Sequence, residues 1–132
     1  MGRPVRLLLD THAFLWAVMQ PAKLSPKARR LLENPANDLM VSAASAWETA
    51  TKFRLGKLPG AKAVLDDFDD VARRLSAGIL PISHFHALLA GSYPQSHRDP
   101  FDRILAAQAE TEGVPLVSRD RALCQFGVEL LW

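Results

Sequence analysis

The stretch Val5-Arg6-Leu7-Leu8-Leu9-Asp10-Thr11-His12-Ala13-Phe14-Leu15-Trp16 decides how the rest of the chain is read. Val5 to Leu9 is apolar apart from Arg6 and lacks the alternation of a strand with one wet face. A run of this length and character predicts a strand covered on both faces, and Asp10-Thr11 ends it. Ala13 to Met19 follows as an apolar helical stretch, closed by Pro21. The order strand, acidic turn, helix then recurs along the chain.

Ser25-Pro26 predicts an N-cap followed by proline in the first helical position, opening a helix from Lys27 to about Leu32. Asn34-Pro35 stops it. Leu39-Met40-Val41 is the second strand candidate. The helix after it, Ala43 to Leu55, carries Ala43, Ala46, Trp47, Ala50 and Phe53 at helical spacing. Gly56 suits its C-terminus. One helix is expected from Ala61 to Ala77, and Ile79-Leu80-Pro81-Ile82 forms the third strand candidate. Ser83 can cap a short helix to Leu89 or Ala90. Asp99-Pro100 starts a helix from Phe101 to about Glu112, Val114 to Val117 is a fourth strand, and Glu129 to Trp132 a last one. Short apolar strands alternating with helices predict an α/β protein of three α/β/α layers around a parallel sheet. One domain over residues 1–132 is expected, because 132 residues suit one core and no linker interrupts them.

Bulk properties exclude several classes. An apolar content of 48% with a net charge of +2 argues against disorder. The single cysteine, Cys124, permits no disulfide framework and no thiolate zinc site within one chain. The N-terminal apolar run is too short for a secretory signal, and no stretch has the length of a membrane span. A soluble, cytoplasmic protein is expected.

The carboxylates carry the functional signal. Open parallel sheets bind ligands beyond the carboxyl ends of their strands. Asp10 ends the first strand, Glu48 lies early in the helix after the second, and Asp120 stands just past the fourth. Asp102 begins the helix before the fourth strand, and a right-handed crossover brings that helix start to the same edge. Like charges gathered at one rim call for a hard cation, which Mg²⁺ meets with oxygen ligands and retained waters. Each residue also has a structural use. Ser45-Ala46-Trp47-Glu48 matches a capping box, Asp99-Pro100-Phe101-Asp102 matches an N-cap with an acidic third position, and Asp120 can cap the helix after it. His12, His84, His86 and His97 make no zinc spacing with these residues. Arg98, Arg103, Arg119, Arg121, Lys52, Arg54 and Lys57 flank the acidic positions and suit a phosphodiester backbone. Trp16, Trp47, Phe53, Phe101 and Phe126 read as core, and Tyr93 as the aromatic candidate for touching a base.

Four segments together carry a family resemblance: Leu7 to Trp16, Ser42 to Glu48, His97 to Ala109, and Leu116-Val117-Ser118-Arg119-Asp120. In order and separation they closely resemble the PIN-domain ribonuclease toxins of the VapC type. The resemblance runs from about Val5 to Trp132. It implies a central parallel five-stranded sheet and a Mg²⁺-dependent endoribonuclease, with Mn²⁺ an alternative cation, acting as the toxin of a type II toxin–antitoxin system. It implies acidic site residues at Asp10, Glu48 and Asp102, with Asp120 the more variable fourth. Asp99, Thr11 and Ser118 would be secondary, orienting water or a carboxylate. It also implies a cognate antitoxin, received by the helical surface between Ala13 and Leu32, and a homodimer. The rivals are a PIN-fold binding module that cleaves nothing and a metal-dependent nuclease acting on DNA.

Overall fold

The computed structural model describes residues 4–132, so the first three residues of the expected domain lie outside the described residues. Five strands form one sheet in the order β3-β2-β1-β4-β5, every neighbouring pair parallel. They are β1 Arg6–Leu9, β2 Asp38–Ser42, β3 Ala77–Leu80, β4 Leu116–Val117 and β5 Leu130–Leu131. The helices are α1 Thr11–Met19, α2 Pro26–Glu33, α3 Ala43–Arg54, α4 Lys62–Asp66, α5 Phe68–Arg74, α6 His84–Ser92 and α7 Pro100–Glu112. The expected α/β/α architecture with a parallel five-stranded sheet is present.

The missing alternation in β1 has its explanation in two cores. Leu7 and Leu9 enter one cluster with Phe14, Ala28 and Val64, whereas Leu8 enters another with Leu105, Ala106 and Leu116. All three leucines are fully buried. A central strand covered on both faces needs apolar residues at every position.

Two expectations about helices need correction. The stretch expected as one helix from Ala61 to Ala77 is a 3-10 turn, Pro59–Ala61, followed by α4 and α5. Asp67 leaves the helical conformation and accepts a bond from the Asp70 N–H, so it caps α5 instead of continuing α4. Ser76 then takes φ 58° and turns the chain into β3, which includes Gly78. Gly78 is therefore a strand residue.

The second correction concerns α3. Ser42, not Ser45, is its N-cap, accepting from the Ala44 N–H at 2.9 Å. Ser45 and Glu48 thus fall inside the helix, and no capping box joins them. The buried face is Ala44, Ser45, Glu48 and Thr49, while Ala50 is exposed and Trp47 keeps 55% of its surface in solvent. The helix turns a largely polar face inward. That inversion of the ordinary amphipathic pattern marks the place where the site is built.

Candidate active site

Asp10 stands immediately after β1 and caps α1, its Oδ1 accepting from the Ala13 N–H at 2.7 Å. Its own N–H donates to Val117 O at 3.0 Å, which joins it to the end of the neighbouring strand β4. That register brings buried Ser118 to the same strand end, where its hydroxyl accepts from the Asp120 N–H at 3.0 Å and favours the charged form of Asp10. Thr11 and Ser45 join their hydroxyls at 2.9 Å, tying the start of α1 to the start of α3. Glu48 lies one turn beyond Ser45 on the same face. It is buried and paired with Lys52 Nζ at 2.5 Å.

The acidic side of α7 arrives from across the sheet. Asp99 is its N-cap, accepting from the Phe101 and Asp102 N–H groups, and Pro100 takes the first helical position. Asp102, in the first turn, carries the resulting charge toward α3. Outside the cleft, Trp47 and Phe101 meet edge to face with centroids 4.6 Å apart. Each precedes a carboxylate in sequence, so this aromatic contact couples the two helices that carry Glu48 and Asp102. Trp47 therefore works at an exposed helix junction and not in the core.

Asp10, Thr11, His12, Glu48, Lys52, Asp99, Asp102, Leu105 and Asp120 line one cleft of about 120 Å³. All four acidic positions expected at the edge, and Asp99 with them, meet there. Asp120 also caps the 3-10 turn after it, accepting from the Ala122 N–H at 3.0 Å. Capping and facing the cleft coincide at Asp10, Asp99 and Asp120.

Burial raises the pKa of Asp10, and the Glu48 charge adds to the effect, while Ser118, the Ala13 N–H and His12 oppose it. Asp102 is pushed up to about 6, first by burial and further by Asp99 and Glu48, against the opposing bond from His97. Carboxylates held at this disadvantage are a fit for a hard divalent cation, and every donor they offer is oxygen. Among the described residues, no three His, Cys, Asp or Glu side chains are close enough together to hold a metal ion. The acidic groups share a cleft without closing into a coordination cage.

The raised pKa of Asp102 has a measurable consequence for stability. The unfolded chain gives up this proton near the ordinary aspartate value of 3.8, before the folded chain does near 6. Its contribution is therefore present below about pH 4 and lost as pH rises through about 6. Asp102→Asn removes the charge, so it is expected to stabilise the metal-free protein at neutral pH by on the order of 1–2 kcal/mol. Denaturant unfolding across pH checks this, and a less stable variant at neutral pH would refute it.

His97 is the site residue that spacing alone missed. Its Nε2 lies 2.9 Å from Asp102 Oδ2, and its ring packs edge-on against Phe126. The one signal was its place beside Arg98-Asp99-Pro100. Arg103 turns away from solvent chemistry. Its guanidinium donates to the carbonyls of Ala90, Tyr93, Gln95 and His97 at 2.7–3.0 Å. It ties down the loop that presents His97. Tyr93 points elsewhere as well, donating its hydroxyl to Glu110 and meeting the Phe126 ring at a 51° tilt. Burial and the Glu110 charge raise its pKa. Of the other basic candidates, Lys52 lines the cleft and Arg119 an adjoining pocket, while Arg54, Lys57, Arg98 and Arg121 are exposed.

Residues 7–129 match the family model described as PIN domain. The chain belongs to the PIN-domain family. It is 33% identical over 119 residues to Ribonuclease VapC22 of Mycobacterium tuberculosis, covering 89% of this chain and 88% of that protein. The fold is shared with VapBC2 from Rickettsia felis bound to a DNA fragment from its promoter, at TM-score 0.68 and 15% identity over 96% of this chain and 97% of that one. It is shared too with a toxin-antitoxin complex from Klebsiella pneumoniae, at TM-score 0.61 and 16% identity over 96% of both chains. The PIN domain of this protein is thus homologous to VapC-type toxins, as its four motifs led one to expect.

Proposed function

We propose that this PIN domain is a Mg²⁺-dependent endoribonuclease, with Mn²⁺ able to serve, and the toxin of a type II toxin–antitoxin pair in the cytoplasm. The observation that carries the proposal is the cleft lined by Asp10, Glu48, Asp102, Asp120 and Asp99 at the carboxyl edge of the sheet. The name of the M. tuberculosis relative, a ribonuclease, supports RNA as the substrate.

In this reading Asp10, Glu48 and Asp102 hold the cation, with Asp120 in support. A bound divalent cation lowers the pKa of water and offsets charge on a phosphoryl group. The chain's own residues do the rest. The Ala13 N–H fixes the Asp10 carboxylate, and the Ser118 hydroxyl holds the start of the Asp120 turn. The Thr11–Ser45 bond fixes the α1–α3 junction. Asp99 holds the first turn of α7, so that Asp102 faces Glu48 across the cleft. Lys52 supplies a positive charge at the cleft wall, and Arg119, with exposed Arg54, Lys57, Arg98 and Arg121, attracts the phosphate chain. Arg103 acts on the protein's own loop.

The antitoxin and a second copy of the chain are the proposed partners. An apolar pocket of about 240 Å³ lined by Ala17, Val18, Val71, Arg74 and Leu75 supports a docked antitoxin segment beside α1. Among the described residues no helix is long and apolar enough to cross a membrane.

The test is purified protein with a single-stranded RNA and the DNA of the same sequence, each with Mg²⁺, Mn²⁺ or a chelator. Cleavage of RNA with either cation and none with chelator is expected. RNA binding without cleavage would favour the non-catalytic module, and cleavage of the DNA alone the other nuclease.

A further inference from the structure

Beside the carboxylate cleft lies a larger pocket, about 330 Å³, lined by Asp10, His12, Trp16, Arg119 and Asp120. The two spaces share Asp10, His12 and Asp120 as a common wall. On the side away from Glu48, this pocket is aromatic and basic. The His12 and Trp16 rings lie 5.6 Å apart and tilted by 43°. Trp16 is only half-buried. It is braced from behind by Trp132 at 5.8 Å, and Lys23 Nζ stands 5.9 Å from its ring centre. His12 and Arg119 are exposed. The expectation that Trp16 is a core residue therefore describes only its braced side.

We propose that this pocket is a nucleobase subsite, taking the base of a nucleotide next to the scissile phosphate of single-stranded RNA. The inference rests on the ribonuclease reading and adds a place for the base. The small acidic cleft has room for a phosphate group and its counter-ions. A neighbouring nucleoside must leave it, and the adjoining pocket offers the His12 and Trp16 rings. Stacking on His12 and Trp16 needs an unpaired base, because a duplex hides the π faces. The Arg119 guanidinium can stack on the same base or meet the next phosphate. Trp132 and Lys23 hold the Trp16 ring in place before any base arrives, which lowers the ordering cost of binding.

The test separates binding from cleavage by using the Asp102→Asn protein throughout. Binding of a labelled oligoadenylate is compared with that of a ribose-phosphate chain of equal length without bases, by fluorescence anisotropy. The parent is expected to prefer the oligoadenylate, and His12→Ala to weaken that binding roughly tenfold while leaving the base-free chain unaffected. His12 is exposed, so its replacement does not put folding at risk. Trp16→Phe, which keeps a ring, is expected to retain most of the preference. Equal binding of both chains by the parent, no change in His12→Ala, or no binding of either chain would each overturn the subsite. RNA cleavage by the unsubstituted protein is scored separately, so a failed subsite does not hide an intact ribonuclease, or the reverse.

Discussion

Asp10→Asn is expected to lower cation-dependent RNA cleavage by at least about 100-fold, because loss of an outer partner of a metal ligand already costs ten- to a hundredfold. The same substitution is expected to leave the fold intact. Asp10 caps α1 through one oxygen, and the asparagine side-chain carbonyl accepts the same Ala13 bond. The buried charge disappears, and with it the burial penalty that raises the Asp10 pKa. Asparagine thus separates two duties of one carboxylate. Asp10→Ala would not, since it also removes the cap, at about 1 kcal/mol. Cleavage rate, far-ultraviolet circular dichroism and denaturant midpoint should be measured on the same preparation. A folded Asp10→Asn protein that cuts RNA at the parent rate would refute the acidic cleft as the active site.

Arg103→Ala is expected to cost about 2–3 kcal/mol of stability, a large share of the roughly 5–15 kcal/mol available to a typical domain. Four carbonyls, from Ala90, Tyr93, Gln95 and His97, accept from this one guanidinium. Removing it frees the loop before α7 and releases His97 from Asp102. Arg103→Lys is expected to recover less than half of the loss, because an ammonium is a point charge without the planar fork. Denaturant unfolding gives the energy, and the His97 ring resonances report the loop. Cleavage at the loop by a protease should rise in step. An alanine variant as stable as the parent would show that water satisfies those carbonyls equally well.

What could be read in advance followed local physics. The leucines of β1, the Ser25-Pro26 start of α2 and the Asp99-Pro100 start of α7 each carry their own signal within a few residues. The acidic positions were legible for a similar reason, since strand ends and helix starts in a parallel sheet share an edge. Features set by tertiary packing were not legible. The polar face of α3 turns inward because Thr11, Asp10 and Asp102 wait for it there, and no periodicity within α3 records that. Asp67 falls inside the stretch expected as one helix, although its side chain suits a cap better than a helix interior. His97 reaches Asp102 only because Arg103 gathers a loop whose carbonyls bear no mark in the sequence.

The strand order has a consequence for when the cleft is assembled. β1 lies between β2 and β4, so Asp10 needs the Val117 carbonyl from a strand made only after β2, β3 and helices α1 to α7 have been synthesised. The cleft also draws on Asp102 and Asp120. A nascent chain still inside the ribosome beyond β3 carries two of its acids and no closed wall around them. The cleft of the proposed nuclease is completed only once β4 has been made and has docked beside β1.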